Sequence, residues 1–422
     1  MIEPLKLWIR SSKNKSGLNA VMSFPATKAD ALYHLNSFAP RAGISYAKQR
    51  NFDRGAGGHT DVSCLSPYIR RRIITETEVL TSVLDHHSFK DAEKFVQEVF
   101  WRTYWKGWLE MRPSVWAEYQ VQLGIQCNQI ATQSGLRQQW EAACLGRTGI
   151  ECFDAWALEL ADTGYLHNHA RMWFASIWIF TLKLPWELGA DFFLRHLFDG
   201  DPASNTLSWR WVAGLQTAGK TYLARPDNIA KYTDGRFFQS GLATTAQPRT
   251  ETVTHPRLPA PQTQNYNKAA PTFVLLHDDD MDLSPLVDSF ENIVGAVRVS
   301  CLERLTPFEM SPAVIEFVET LIKDADHRWF EHIGNIHKAT SADDIISKAL
   351  DCAATQIAIP YATVGPTSDF ITALKRKAHD SGIGVVSVLS EYDQMCWPKA
   401  THGFFRFKEH ISQFLRDLNM GP

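Results

Sequence analysis

What this chain lacks narrows it first. Its seven cysteines (Cys64, Cys127, Cys144, Cys152, Cys301, Cys352 and Cys396) are odd in number and never form a CxxC pair. That spacing speaks against a disulfide framework and against a thiolate zinc or iron–sulfur centre, and it fits a reducing compartment. Neither a GxGxxG turn nor a P-loop is present, so neither standard glycine-rich phosphate cradle is available. No apolar run reaches membrane-spanning length and Met1–Lys6 carries no signal-peptide core, so a cytoplasmic protein without a membrane partner is expected. Strong charge of one sign is missing too. Residues 1–240 hold 27 Lys+Arg against 23 Asp+Glu and the remainder 16 against 23, an excess too small to argue for nucleic acid by itself. No metal site is expected either: His167 and His169, two apart on a helix, would face apart.

Indoles are plentiful. Of 14 Trp, all but Trp329 and Trp397 lie before residue 212, a density that is costly in a plain core because each N–H needs a partner. They culminate in Asp199-Gly-Asp-Pro-Ala-Ser-Asn205-Thr-Leu-Ser-Trp209-Arg-Trp211. This stretch places two acids on a loop, then Asn205 and Trp209 four apart on one face of the following helix, with Trp211 turned away. An amide beside an indole suits a planar heterocycle, and a capped, Trp-anchored core helix accounts for the same residues.

At 422 residues two domains are the prior. The spacing predicts helices over 89–111, 151–163 and 165–182, the last apolar almost all round and so buried. Ser66-Pro67 reads as an N-cap with proline at the first helical position, and the hydroxyls of Ser63 and Ser66 beside free amides would make a phosphate seat. Glu98, Trp101 and Arg102 share one patch, as do Asn168, Arg171 and Met172; a buried Arg171 needs an anion, and Asp199 or Asp201 is at hand. Residues 241–270 are rich in Thr, Pro, Gln and Ala and read as a linker. Beyond 271 short apolar strands (273–277, 293–299, 356–360 and 383–389) alternate with helices (282–291, 311–323, 341–352, 367–379 and 407–418), the pattern of a parallel α/β fold.

Four blocks in order make residues 40–237 resemble the FAD-binding domain of the DNA photolyase/cryptochrome family. These are Tyr46…Arg50 with Ser63-Cys-Leu-Ser66-Pro-Tyr; Glu98-Val-Phe-Trp101-Arg102-Thr-Tyr; Thr148-Gly…Asp154-Ala with Thr163-Gly-Tyr-Leu-His-Asn168-His-Ala-Arg171-Met172; and Asp199-Gly-Asp201…Asn205…Trp209-Arg-Trp211. The resemblance implies an all-α FAD-binding domain (1–240), a linker (241–270) and a Rossmann-like α/β domain with a parallel sheet (271–422). It implies FAD held by Tyr46, Ser63, Ser66, Arg102, Arg171, Asp199, Asp201 and Asn205, the last facing flavin N5. Electrons would arrive through Trp209 and Trp186, with Trp140 as candidate for the outermost relay position.

It further implies a cavity of Glu98, Trp101, Asn168, Met172 and Trp211, the set that splits cyclobutane pyrimidine dimers; the enzymes for (6-4) photoproducts carry His where Asn168 stands. The activity implied is light-driven dimer repair in DNA by electron transfer from photoexcited reduced FAD, performed by a monomer, with Arg50, Arg54 and Arg70–Arg72 available to grip phosphates. The alternative is a blue-light receptor of the cryptochrome kind without repair activity. The chain departs from the family where Val62 replaces Thr/Ser and Glu151 replaces Pro, and where its α/β part follows the helical part. A second, antenna chromophore in that part and a purely structural cover both remain open.

Overall fold

The computed structural model describes residues 24–420. From Lys28 to Tyr232 its regular elements are all helices, and five strands follow: β1 (Thr272–His277), β2 (Ile293–Val299), β3 (Ile336–Lys338), β4 (Gln356–Pro360) and β5 (Gly384–Val388). Among the described residues no helix is long and apolar enough to cross a membrane.

Local chemistry sets the helix ends that matter. Ser88 accepts the Asp91 amide to open the 22-residue helix Phe89–Glu110. Helix Pro202–Ala213 starts on Asp201, whose carboxylate accepts the Ser204 amide, and stops at Gly214, whose φ of 83° suits a residue without Cβ. The expected helix 165–182 is shorter, Asn168–Ser176, and continues as a single π turn over Ile177–Thr181. The predicted helix 282–291 shrinks to Ser284–Val287, whereas 311–323 extends to Pro312–Ile333. Ser66 is the first residue of a five-residue helix capped by Leu65, so Pro67 stands second. The N-cap expectation for Ser66 is thereby corrected.

The sheet is wholly parallel in the order β3-β2-β1-β4-β5. β1 and β4 are buried along their whole length, as strands covered on both faces must be. Alternate side chains serve opposite faces. Phe273 and Leu275 pack with Ile345, Phe370 and Leu374 on one side, while Val274 and Leu276 pack with Leu286, Phe290 and Ile333 on the other.

An open parallel sheet offers its ligand crevice beyond the strand ends where the order reverses, here between β1 and β4. That crest is filled by three arginines of the helical part. Arg71 donates to the Asp278 carbonyl (2.6 Å) and carboxylate (3.1 Å), Arg70 to Asp279 (2.6 Å), and Arg72 to Asp280 (3.0 Å) and Asp393. Arg70–Arg72 are buried, so the expectation that they grip DNA phosphates is overturned by their use as an internal clasp.

The hydrophobic core crosses the compositional boundary at 271. Helix Pro312–Ile333 sends Val314, Phe317 and Leu321 into the helical layer, where Phe317 stacks on Phe198 at 4.6 Å. The C-terminal turns pack along helix Phe89–Glu110: Phe414 on Phe100 (5.7 Å), Tyr392 hydroxyl on Thr103 (2.7 Å), and Trp397 against Gly107. A Cβ at Gly107 would lie 2.8 Å from the Trp397 ring, so this approach requires glycine. The stretch 241–270 has no regular element, yet it is pinned to the helical layer through Leu258 N–H to Met111 O (2.8 Å) and Arg210 to Glu251 (2.6 Å).

Glu110, at the end of that helix, accepts Tyr361 O–H (2.8 Å) and Val364 N–H (2.7 Å) from the loop after β4. Burial pushes its carboxyl up to about 7. Between the unfolded value and pH 7 the folded state therefore holds a proton that the unfolded state has released, so stability from this group falls as pH rises through that window. Urea unfolding of Glu110→Gln from pH 5 to pH 7 should show a shallower decline than the wild type; an unchanged slope would remove Glu110 as a contributor.

Candidate functional site

The Asp199–Asp201 loop is the anchor. Asp199 is bound bidentately by Arg171 at 3.0 and 3.1 Å, and Arg171 Nε donates to Leu166 O at 2.8 Å. Burial alone would raise the Asp199 carboxyl, but Arg171 outweighs it and a hydrogen bond from Ser66 adds to the lowering. Asp201 lies 3.9 Å from Arg70 and 3.6 Å from Arg102 while capping its helix. Burial opposes its ionisation, yet Arg70, then Arg102 and Lys106, hold it down to about 2. Arg171 takes Asp199, the first of the two anions offered by the sequence.

In front of this anchor is a cavity of about 210 Å³ lined by Tyr46, Arg50, Ser63, Ser66, Glu98, Tyr165, Asn168, His169 and Met172. Glu98 forms an ion pair with Arg50, whose guanidinium lies 5.9 Å over the Tyr46 ring. Burial, then Glu98, pushes the Tyr46 phenol above its ordinary range, so it stays a neutral donor. Six expected residues meet here: Tyr46, Ser63, Ser66, Glu98, Asn168 and Met172. Arg50 is a further lining residue, and its spacing of four from Tyr46 is the helical signal that places it there. The cation wall is thus Arg50, while Arg54 is spent on Asp61 (2.7 Å) and Asp234.

Several expected residues stand elsewhere. Trp101 is stacked on Phe404 of the C-terminal turns, ring centroids 3.6 Å apart and 13° from parallel, and Arg102 turns away from Glu98 to Asp201. Glu98, Trp101 and Arg102, expected to act as one patch, thus meet three different partners, Arg50, Phe404 and Asp201. Trp211 stacks on Tyr222 at 5.6 Å, away from the cavity lining. Asn205 is buried, donates its amide N–H to Ala190 O at 2.8 Å, and is not among the lining residues.

Trp209 packs against Phe193 (5.2 Å) and Trp178 (6.2 Å), the second an indole that sequence reasoning missed. A Cβ on Gly189 would come within 2.3 Å of Trp209, so that indole is seated only because residue 189 is glycine. Trp186 contacts Tyr119 (5.6 Å), which contacts Trp116 (5.1 Å), whereas Trp140 packs on Phe308.

Residues 95–271 match the family described as the FAD binding domain of DNA photolyase. Over these residues the chain carries a domain similar to the FAD-binding domain of DNA photolyases. Its similar proteins include a deoxyribodipyrimidine photo-lyase of Streptomyces griseus, 32% identical over 38% of this chain and 35% of that protein. Another from Neurospora crassa is 28% identical over 47% of this chain and 32% of that one. Among solved structures, a class III photolyase from Agrobacterium tumefaciens aligns with TM-score 0.41 and 25% identity over 49% of this chain and 43% of its own. The matched part spans under half the length of each.

The cofactor of this domain is FAD, and the chemistry of the lining suits it. Tyr46, Ser63 and Ser66 offer hydroxyls, Arg50 a cation and Asn168 an amide. Trp209 Nε1 is a buried donor with no hydrogen-bond acceptor among the described residues. In this conformation the space is below the roughly 300–1,000 Å³ of a site enclosing a drug-sized ligand.

Removing one member of the buried pair would strand the other. Arg171→Ala should destabilise the protein by about 3 kcal/mol, the low end of the range for breaking a buried pair because Arg171 is 22% exposed. Denaturant unfolding measures it, and a loss under about 1 kcal/mol, the value of a surface pair, would mean that Asp199 is rehydrated.

Proposed function

We propose that this protein repairs cyclobutane pyrimidine dimers in DNA by light. The observation that supports it best is the cavity itself, where Glu98, Asn168 and Met172 share walls with Tyr46 and Arg50. Reduced FAD, when bound, supplies a photoexcited one-electron donor. The chain's own residues do the rest. Tyr46, Ser63, Ser66 and Arg50 would hold the cofactor's polar groups, and the Arg171–Asp199 pair would fix the floor beneath them. Glu98, paired with Arg50, can accept a hydrogen bond from the edge of a flipped-out pyrimidine, Asn168 can meet a carbonyl, and Met172 fills the apolar gap. The packed indoles around Trp209 provide a route for electrons that reduce the flavin.

A second reading, a blue-light receptor of the cryptochrome kind, has its own support. Trp101 is covered by Phe404, Trp211 by Tyr222, and Arg70–Arg72 are consumed inside the fold. The two indoles that would stack on a dimer, and most of the basic cluster that would grip its phosphates, are engaged internally.

Illumination of the reduced, flavin-loaded protein with dimer-containing oligothymidylate separates the two. Repair predicts recovery of base absorbance in light and none in the dark. Glu98→Gln should slow it about 10- to 100-fold, the loss of one hydrogen bond of 1.5–3 kcal/mol to a charged group, with flavin still bound. No recovery with flavin in place would favour the receptor.

A further inference from the structure

We propose that Asp53, His59 and Glu159 form a binding site for a divalent transition metal, zinc foremost, behind the wall of the cavity. Their ligand atoms all lie within 4.8 Å of one another, the one such cluster among the described residues. His59 Nε2 is 3.0 Å from Glu159 Oε1, with side chains 1% and 9% exposed, and Asp53 is fully buried.

Two imidazole nitrogens at this spot lack a well-formed hydrogen bond among the described residues. His59 Nδ1 and His167 Nε2 are both buried and unbonded, and the rings lie nearly parallel with centroids 5.7 Å apart. A buried polar atom left unsatisfied is costly, so these two nitrogens call for partners. An ion held by the His59 ring and the two carboxylates provides one.

His167 itself is a positioning residue here. Its Nδ1 accepts the His169 amide at 3.2 Å, which leaves the proton on Nε2. That N–H can donate to a water or anion completing the ion's coordination.

Asp53 has its outer partners in place. Oδ1 accepts Gly55 N–H (3.0 Å), and Oδ2 accepts Trp156 Nε1–H (2.9 Å) and pairs with Arg236 (2.9 Å), which leaves a lone pair on Oδ1. Such second contacts orient a ligating carboxylate. One imidazole with two carboxylates suits zinc, and next manganese, better than calcium or copper(I). Bonds of roughly 2.0–2.2 Å require the set to close by about 1 Å from its present spread.

The chain between Asp53 and His59 is a tight glycine-rich turn. Gly55 and Gly57 both hold φ of 78°, and a Cβ at Gly58 would lie 2.7 Å from Arg54 O. The glycine-rich stretch folds back on itself and delivers both ligands to helix Glu151–Thr163. Since the His59 ring lies 5.3 Å from Tyr165 of the cavity wall, the ion would brace that wall.

The full chain, stripped with chelator and dialysed against zinc, should retain a single equivalent by elemental analysis, and cobalt in its place should show a ligand-field spectrum. His59→Ala and Glu159→Gln should each weaken zinc binding at least about tenfold, while His379→Ala, at an exposed histidine, leaves it unchanged. Should His59→Ala fail to fold by circular dichroism, Glu159→Gln decides, because its amide can still bond His59. No zinc retained by the wild type, or equal zinc in wild type and both variants, overturns the proposal. Flavin content is not a readout, so this outcome is independent of light-driven repair.

Discussion

Burying charge is the constraint on which the rest of this structure depends. The loop Asp199–Asp201 carries two carboxylates into the interior, and each survives there only because guanidinium groups meet it: Arg171 at Asp199, Arg70 and Arg102 at Asp201. Such pairs add little net stability compared with apolar packing, but removing a partner is expensive, so they specify where elements must lie. Helices Phe89–Glu110, Asn168–Ser176 and Pro202–Ala213 converge on this loop, and the first two, with residues 46–51 and 62–66, wall the cavity.

The same device joins the helical layer to the sheet. Arg70, Arg71 and Arg72 run from the helical layer to Asp279, Asp278 and Asp280 at the crest of β1. That clasp fills the crevice where an open α/β sheet would take a ligand, and it withdraws three positive charges from the surface. The C-terminal turns complete the enclosure by laying Phe404 on Trp101. The cavity keeps the acid, amide and thioether that the resemblance implies, Glu98, Asn168 and Met172, while Trp101 and Trp211 are engaged elsewhere.

Much of this was legible in the sequence, and the limits were physical. Strongly periodic or fully apolar segments announced themselves, as in helix Phe89–Glu110 and strands β1, β2, β4 and β5; the three-residue β3, exposed at the sheet edge, carried no pattern to find. The Arg171–Asp199 pair followed from the need of a buried arginine for an anion. Side-chain direction was less accessible. Glu98, Trp101 and Arg102 do share a helix face, but Phe404, some 300 residues downstream, decides where Trp101 rests. Arg70–Arg72 read as a basic surface because their partners lie more than 200 residues away. Helix boundaries shifted where capping was ambiguous, as at Leu65–Ser66.

The central claim is that these buried ion pairs frame a flavin site. The absorbance spectrum of the purified full chain, released flavin counted against protein, tests it most directly. The account predicts a single equivalent of FAD in the wild type and its loss in Asp199→Asn while helical circular dichroism persists. A colourless wild-type protein that refuses FAD on reconstitution, or undiminished flavin in the variant, would contradict it.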